Sequence, residues 1–317
     1  MVLKETLLNK LRDLNITLDT IDSNQSISPQ IKDAEILVNS TSIRLDRSVL
    51  ADASKLKLIH QTGIGVDNID VDYCTKKSIY VANVPLANAV SVAEHTLFLM
   101  LFLAKNVKRE YTTDISPMTE RCTDALGTDL QGKTLTIIGL GATGIEVAKR
   151  AKSFGMKIFA ITKPPFSRKG LDKTYFVDDI AGPENLLQFL VEADYVSIHT
   201  PLSSDTRNMI GEKELNFMKK SVYLINVARA PIVNREALFV ALKANRIAGA
   251  AFDVFWNEPP TKEDDNLLQL DNFILTPHIA GSTNEAVDAT ARIISVNVAR
   301  MSREELPLTI VNSELID

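Results

Sequence analysis

Two apolar rhythms alternate along the 317-residue chain. In LKETLLNKLRDL leucines recur at 3, 7, 11 and 14, the three-to-four spacing of a helix with one apolar face, and Leu8 lies beside that face. EILVN (35–39), LKLIHQ (56–61) and SIYVAN (78–83) are short apolar runs between polar residues and read as strands. RSVLADAS, between the first two, reads as a helix, so this opening stretch is a small α/β unit. Residues 88–107 predict one long, largely buried helix. Polar residues 108–131, with Pro117 and Gly127, read as a connection.

A second α/β unit starts at KTLTIIG. Strand 133–138 leads through a glycine turn into helix 142–153. KIFAI, YVSIH, SVYLINV, IAGAAFDV and NFILTP then recur with helical stretches between them. That alternation predicts a parallel, doubly wound sheet. Residues 284–304 form a second long helix that carries the chain back to the first domain, which the tail from 305 completes. The expected fold is therefore α/β with two doubly wound parallel-sheet domains. One takes residues 1–97 and 287–317; the other takes 98–286.

Composition narrows the function classes. A hydrophobic content of 45% supports a sizeable core, and the length suits two domains. A net charge of −5 argues against nucleic acid as a partner. No apolar run approaches the roughly 20 residues of a membrane span, and the N-terminus has no signal pattern, so a cytoplasmic protein is expected. Cys74 and Cys122 have no metal or redox spacing and read as free thiols; no metal site is expected.

The glycine turn is IIGLGATG, with Gly139, Gly141 and Gly144. A strand before it and a helix after it give it meaning. Gly139 permits the tight turn, Gly141 lets backbone approach a pyrophosphate, and Gly144 allows helix and strand to pack closely. The N–H groups of Ala142 and Thr143 open the helix, where its dipole favours an anion. A dinucleotide site follows, against the plain alternative of a turn without a ligand. An NAD site usually places a carboxylate about 20 residues on, to bond the ribose 2′-OH. Here stand Thr162 and Lys163, with Arg168 and Lys169 close behind. A hydroxyl and cations suit a 2′-phosphate, so NADP(H) is favoured over NAD(H). The alternative is a solvated basic loop.

Downstream come Arg229 in INVARAPIV, Glu258 in DVFWNEPP and His278 in LTPHIAGST. An arginine can hold an acid by two parallel hydrogen bonds, a histidine can pass a proton near neutral pH, and a glutamate can orient that histidine. Singly each has a plain reading as salt bridge, capped core residue or solvated loop. Together, behind a nucleotide turn, they point to chemistry on an acid. His60, His95 and His199 read as structural.

With these motifs assembled, the chain resembles the D-isomer-specific 2-hydroxyacid dehydrogenases. TGIGVDNID (62–70), NAVSVAEH (88–95), GLGATG, HTPLSSDTRNMI (199–210), NVARAPIVN, DVFWNEP and TPHIAGST carry the resemblance, in family order and over nearly the whole chain. It implies a flavodoxin-like substrate domain beside a Rossmann nucleotide domain. It implies that Arg229 clamps the substrate carboxylate and polarises the keto oxygen, that His278 is the general acid, and that Glu258 keeps His278 protonated. The backbone of Ile64 and Gly65 resembles the carboxylate-binding turn. Asn88 is placed at the cleft or as the N-cap of its helix. Asp253 resembles the residue that bonds the nicotinamide carboxamide. Thr200 and Pro201 resemble the segment against the cofactor's ribose and adenine side; Val227, Ala228 and Gly281 join the cofactor-binding set. Helix 88–107 resembles the segment that builds a homodimer.

Three positions depart from the family pattern. Ala230 stands where glycine follows the arginine, Asn234 where an acid follows IV, and the chain opens on a helix where a strand is usual. Phosphoglycerate-type members place arginines near the substrate phosphate, but the matching stretches, VNSTS (38–42) and HQT (60–62), carry no cation, and no regulatory domain is seen before residue 317. The expected activity is NAD(P)-dependent reduction of a small 2-keto acid of the glyoxylate or hydroxypyruvate type. The alternatives are a phosphoglycerate or phosphite dehydrogenase on the same scaffold, or an NAD-binding module of the corepressor kind without enzymatic activity.

Overall fold

The computed structural model describes residues 2–12, 14, 16–41, 43–107, 126–163, 173–261 and 266–316. Ser42 of VNSTS, most of the expected connection with Pro117 and Cys122, and the cations Arg168 and Lys169 lie outside the described residues. The chain divides into two compact units, Met1–Asn88 with Ser282–Asp317, and Ala89–Gly281.

In the first unit the leucine spacing at the start folds as helix α1 (Val2–Leu11). Then follow α2 (Ile27–Gln30), β1 (Ile36–Asn39), α3 (Arg47–Leu50), β2 (Leu58–Gln61), α4 (Val71–Lys76) and β3 (Tyr80–Ala82). The three strands pair in parallel in the order β1-β2-β3. Alternation along them feeds two cores. Leu37, Ile59 and Val81 face Ile31, Leu50 and Cys74. Ile36 and Val38 pack against Leu7 and Leu11 of α1 and Ala291, Ile294 and Val298 of the closing helix Asn284–Met301. The sheet is thus covered on both faces, as a parallel sheet requires.

One buried histidine in this unit is held neutral. His60 Nδ1 donates to the Gln61 carbonyl at 3.1 Å, and Nε2 accepts from Asn297 Nδ2 at 2.9 Å. Burial pushes its pKa down to about 4, against a smaller opposing effect of the Gln61 hydrogen bond. Because the unfolded chain protonates near 6.5 and the folded one only near 4, stability from this group is complete above pH 6.5 and is lost as pH falls. The loss amounts to about 3 kcal/mol by pH 4. Urea unfolding at pH 7 and pH 4.5 checks this: a His60→Gln variant should lose less stability on acidification than the wild type, and an identical loss would refute it.

In the second unit come α5 (Ala89–Ala104), β4 (Thr134–Ile138), α6 (Ala142–Ser153), β5 (Lys157–Ile161), β6 (Asp179–Ala181), α7 (Leu186–Glu192), β7 (Tyr195–Ile198), α8 (Glu212–Phe217), β8 (Tyr223–Asn226), α9 (Arg235–Lys243), β9 (Gly249–Phe252) and β10 (Phe273–Leu275). All seven strands are parallel, in the order β10-β9-β8-β7-β4-β5-β6. Leu135 and Ile137 face α5 and α6, whereas Phe159, Val196, Leu224 and Phe252 face α7, α8 and α9. This is the doubly wound Rossmann arrangement, with its order reversing between β4 and β7.

One expectation needs correction. A boundary at residue 97 would cut α5, yet Ala93 and Met100, on either side of it, share one core with β4 and α6, so the whole helix belongs to the second unit. Edge strand β6 carried no apolar run to announce it: Asp179 is exposed and only three residues pair.

Candidate active site

The glycine turn lies where the strand order reverses. Gly139 follows β4 with φ +99°, and its N–H donates to the Ile161 carbonyl at the end of β5. A Cβ there would stand 2.6 Å from the His199 carbonyl carbon and 2.7 Å from Thr200 N, so both conformation and space demand glycine. A Cβ on Gly144 would meet the Gly139 carbonyl oxygen, which explains that glycine as a packing requirement. Gly141 differs: a Cβ would meet nothing within 4 Å. It caps α6 without a side chain, and Ala142 and Thr143 begin the helix. Open space before a twelve-residue helix N-terminus fits the pyrophosphate of a dinucleotide.

The other expected cofactor residues cluster at the same strand ends. Thr162 follows β5 and donates its N–H to Ala181. Thr200 and Pro201 follow β7, and the Pro201 carbonyl accepts from Thr206 Oγ1 at 2.7 Å. Val227 and Ala228 follow β8. Lys163 Nζ pairs with Asp205 Oδ2 at 2.8 Å. Sequence reading missed Asp205, which brings a carboxylate to the end of β5 from a loop 42 residues on.

Arg229 is set by the turn after β8. Asn226, fully buried, accepts from Ala228 N–H at 3.0 Å and donates to the Arg229 carbonyl at 2.9 Å. Arg229 itself is extended, with φ −144°, and its NH1 reaches the Ala228 carbonyl at 2.8 Å. Ala230 opens a short 3-10 turn and is absent from the positive-φ residues, so alanine costs nothing in backbone strain there. Asn234 caps α9 by accepting from Ala237 N–H, as expected for a residue in its place.

Glu258 and His278 meet directly. His278 Nδ1 lies 2.7 Å from Glu258 Oε2, while Glu258 Oε1 accepts the Phe255 N–H at 2.9 Å. Burial would raise the Glu258 pKa, but the His278 hydrogen bond, the Phe255 N–H and the charges of His278 and Arg229 outweigh it and lower the value. The Glu258 hydrogen bond raises the His278 pKa against its own burial, and the charges of Glu258 and Asp253 add to the rise. Both shifts favour the same state, carboxylate beside imidazolium.

His278 also holds an unusual backbone, with φ +56°. The following N–H groups curl around Asp253: Ile279 donates to Oδ1 at 3.0 Å and Ala280 to Oδ2 at 2.8 Å. Thr276 Oγ1 donates to Oδ1 as well, at 2.5 Å. Such a run of N–H groups is an anion nest, and here the protein's own carboxylate fills it. Asp253 is 1% exposed, so it staples the histidine loop, a role that sequence reading did not foresee.

In the first unit, the turn at Ile64 and Gly65 rests on a buried amide network. Gln61 Nε2 donates to the Gly65 carbonyl at 3.1 Å and to Asn68 Oδ1 at 2.7 Å, and its Oε1 accepts from Asn39. Asn83 Nδ2 donates to the Ile64 carbonyl at 2.8 Å. In a trans peptide unit C=O and N–H point opposite ways, so the Gly65 N–H points away from Asn83. Asn88 Oδ1 is buried without a hydrogen-bond partner among the described residues, so its side chain does not cap α5.

The family model for the D-isomer specific 2-hydroxyacid dehydrogenase, NAD binding domain, matches residues 97–280. The chain belongs to this family. Glyoxylate reductase from Korarchaeum cryptofilum is 35% identical over 93% of the chain and 87% of that protein. D-3-phosphoglycerate dehydrogenase from Methanocaldococcus jannaschii is 39% identical over 91% of the chain, which spans only 53% of that longer protein. The crystal structure of D-lactate dehydrogenase from Aquifex aeolicus, complexed with NAD and lactic acid, is 30% identical and aligns with a TM-score of 0.85 over 97% of this chain and 95% of that one. As a 2-hydroxyacid dehydrogenase the chain is an oxidoreductase with a nicotinamide cofactor, in keeping with the glycine turn. No helix among the described residues is long and apolar enough to cross a membrane, and these residues hold no cluster of metal ligands.

Proposed function

We propose that the chain reduces a small, unphosphorylated 2-keto acid to the D-2-hydroxy acid, with NADP(H) favoured over NAD(H). The 2.7 Å bond between His278 Nδ1 and Glu258 Oε2 carries the reading. It leaves Nε2 as the proton-bearing end of a histidine whose charged form is favoured. The Arg229 guanidinium binds the substrate carboxylate and polarises the keto oxygen. His278 gives its Nε2 proton to that oxygen as negative charge develops, and takes it back in the oxidative direction. Bound nicotinamide supplies the hydride. The turn at Ile64 and Gly65 offers N–H groups to a carboxylate.

Several observations favour an unphosphorylated acid. Asn39 and Gln61, in the stretches where a phosphate would need cations, are buried at 3% and 0% exposure and tied to each other. The nearby arginines are engaged on the surface, Arg44 with Asp46 and Arg47 with Asp70. For the cofactor, the last residues of β5 lead into Thr162 and Lys163 without a carboxylate. The Lys163–Asp205 pair is about two-thirds exposed on both sides, and such pairs contribute at most about 1 kcal/mol, so a phosphate dianion competes for the lysine.

Absorbance loss of NADPH and NADH with glyoxylate, hydroxypyruvate, pyruvate, phenylpyruvate and phosphohydroxypyruvate tests this. Turnover with an unphosphorylated acid, faster with NADPH, and a further gain for NADPH in Asp205→Asn are expected. A strong NADH preference overturns the cofactor reading, and turnover confined to the phosphorylated acid overturns the substrate reading.

The same family likeness suggests a homodimer through α5. Val90 and Phe98 are 47% and 50% exposed on a helix whose other face is buried, and a second copy would cover them. Light scattering should give twice the chain mass; a monomer at micromolar concentration would contradict it.

A further inference from the structure

The proton-donating histidine sits in a conformation its own chemistry does not favour. A non-glycine residue at φ +56° persists only where its surroundings hold it. Its immediate holder is Asp253, through the N–H groups of Ile279 and Ala280. What holds Asp253 is less obvious. Its Oδ1 also accepts a hydrogen bond from the Thr276 hydroxyl, whose oxygen lies 2.9 Å from His95 Nε2. His95 Nε2 is itself 3.5 Å from Asp253 Oδ1.

The direction of each bond follows from the donors. A carboxylate can only accept, so Thr276 spends its single proton on Asp253. The Thr276 oxygen then accepts, and His95 Nε2 must carry the hydrogen. Burial lowers the His95 pKa against the opposing charge of Asp253 and so favours the neutral ring, whose one N–H the bond to Thr276 places on that nitrogen. His95 is 13% exposed and rides on α5, whose Ala93, Leu97 and Met100 are locked in the core. The imidazole is therefore a fixed post.

We propose that His95 is a positioning residue of the reaction: through Thr276 and Asp253 it ties the loop 276–280 to α5 and so holds the left-handed turn that presents His278. The proposal rests on His278 as proton donor for its kinetic consequence only; the structural tie stands apart from it. Removing the Nε2 donor leaves Thr276 and Asp253 without their anchor, and the loop opens more often. Glutamine, whose Nε2 comes near the same place, restores the donor; leucine does not.

The test compares wild type, His95→Leu and His95→Gln by amide hydrogen exchange over 276–281 and by steady-state kinetics. In His95→Leu the Ile279 and Ala280 amides should exchange about tenfold faster, and kcat should fall about tenfold with dinucleotide affinity unchanged, in line with one lost hydrogen bond of roughly 1.4 kcal/mol. His95→Gln should return both to within threefold of wild type. Exchange in His95→Leu within twofold of wild type overturns the proposal, as does a His95→Gln variant that falls as far as leucine. Should His95→Leu fail to fold, Thr276→Val against Thr276→Ser asks the same question of the bridging hydroxyl: loss in valine with retention in serine supports the tie, and equal behaviour overturns it. A wild type that turns over no keto acid counts against the functional reading alone, since the exchange measurement still decides this one.

Discussion

Replacing His278 by alanine should lower kcat for keto-acid reduction about 10³- to 10⁴-fold while dinucleotide affinity stays within a few-fold. The reason is local. A developing alkoxide needs a proton, and among the four histidines only His278 has a raised pKa, with its carboxylate partner Glu258 at 2.7 Å. The pH profile gives the same idea a second handle. On the proposed reading reduction requires protonated His278, so the rate should be full at low pH and fall as pH rises through the His278 pKa. Glu258 holds that value above the ordinary histidine range, mainly by its hydrogen bond. Glu258→Gln removes the charge and weakens the bond, so the fall should move to lower pH; in the oxidative direction the rising limb should move the same way. An alanine variant within tenfold of wild type, or a Glu258→Gln limb that does not shift, would show that another group supplies the proton.

Gly139→Ala should cost the second unit about 2–6 kcal/mol and abolish measurable dinucleotide binding. Two effects add. Alanine at φ +99° is strained by roughly 1–3 kcal/mol. Its Cβ also collides with backbone rather than with a yielding side chain, 2.6–2.7 Å from His199 and Thr200 atoms. Overpacking of that kind adds roughly another 1–3 kcal/mol. A melting temperature lower by about 10 °C is expected. Gly141→Ala is the informative contrast. Its Cβ meets no protein atom within 4 Å, so the melting temperature should hold while cofactor affinity drops. Calorimetry with and without dinucleotide separates the two. Equal destabilisation by both substitutions would mean that the turn is only a structural one.

How far the sequence could be read depended on the range of the interaction. Helix α6 and strand β5 have the bounds the pattern predicts, 142–153 and 157–161, because amphipathic spacing and the glycine turn are written in consecutive residues. The doubly wound sheet was legible for the same reason, since strand and helix patterns alternate. Arg229, Glu258 and His278 were legible as motifs, and the structure brings Glu258 onto His278 across 20 residues. Strand β6 was not, because an edge strand of three residues buries little and needs no apolar run.

Taken alone, then, the sequence determined the order of elements, the glycine turn and the identity of the chemical groups. It also supplied Arg229, Glu258 and His278, the cation, carboxylate and histidine that the proposed reduction uses. Tertiary structure decided which polar groups serve which. Gly139 meets His199 because β4 and β7 are neighbours at the reversal of strand order. Asp253 staples residues 276, 279 and 280 because β9 and β10 pair in parallel and bring the loops at their ends together. His95 joins them from 181 positions away. Periodicity reports only whether a face is buried, whereas a buried carboxylate must find its donors wherever the sheet order happens to set them, and that order is not a property of any one segment.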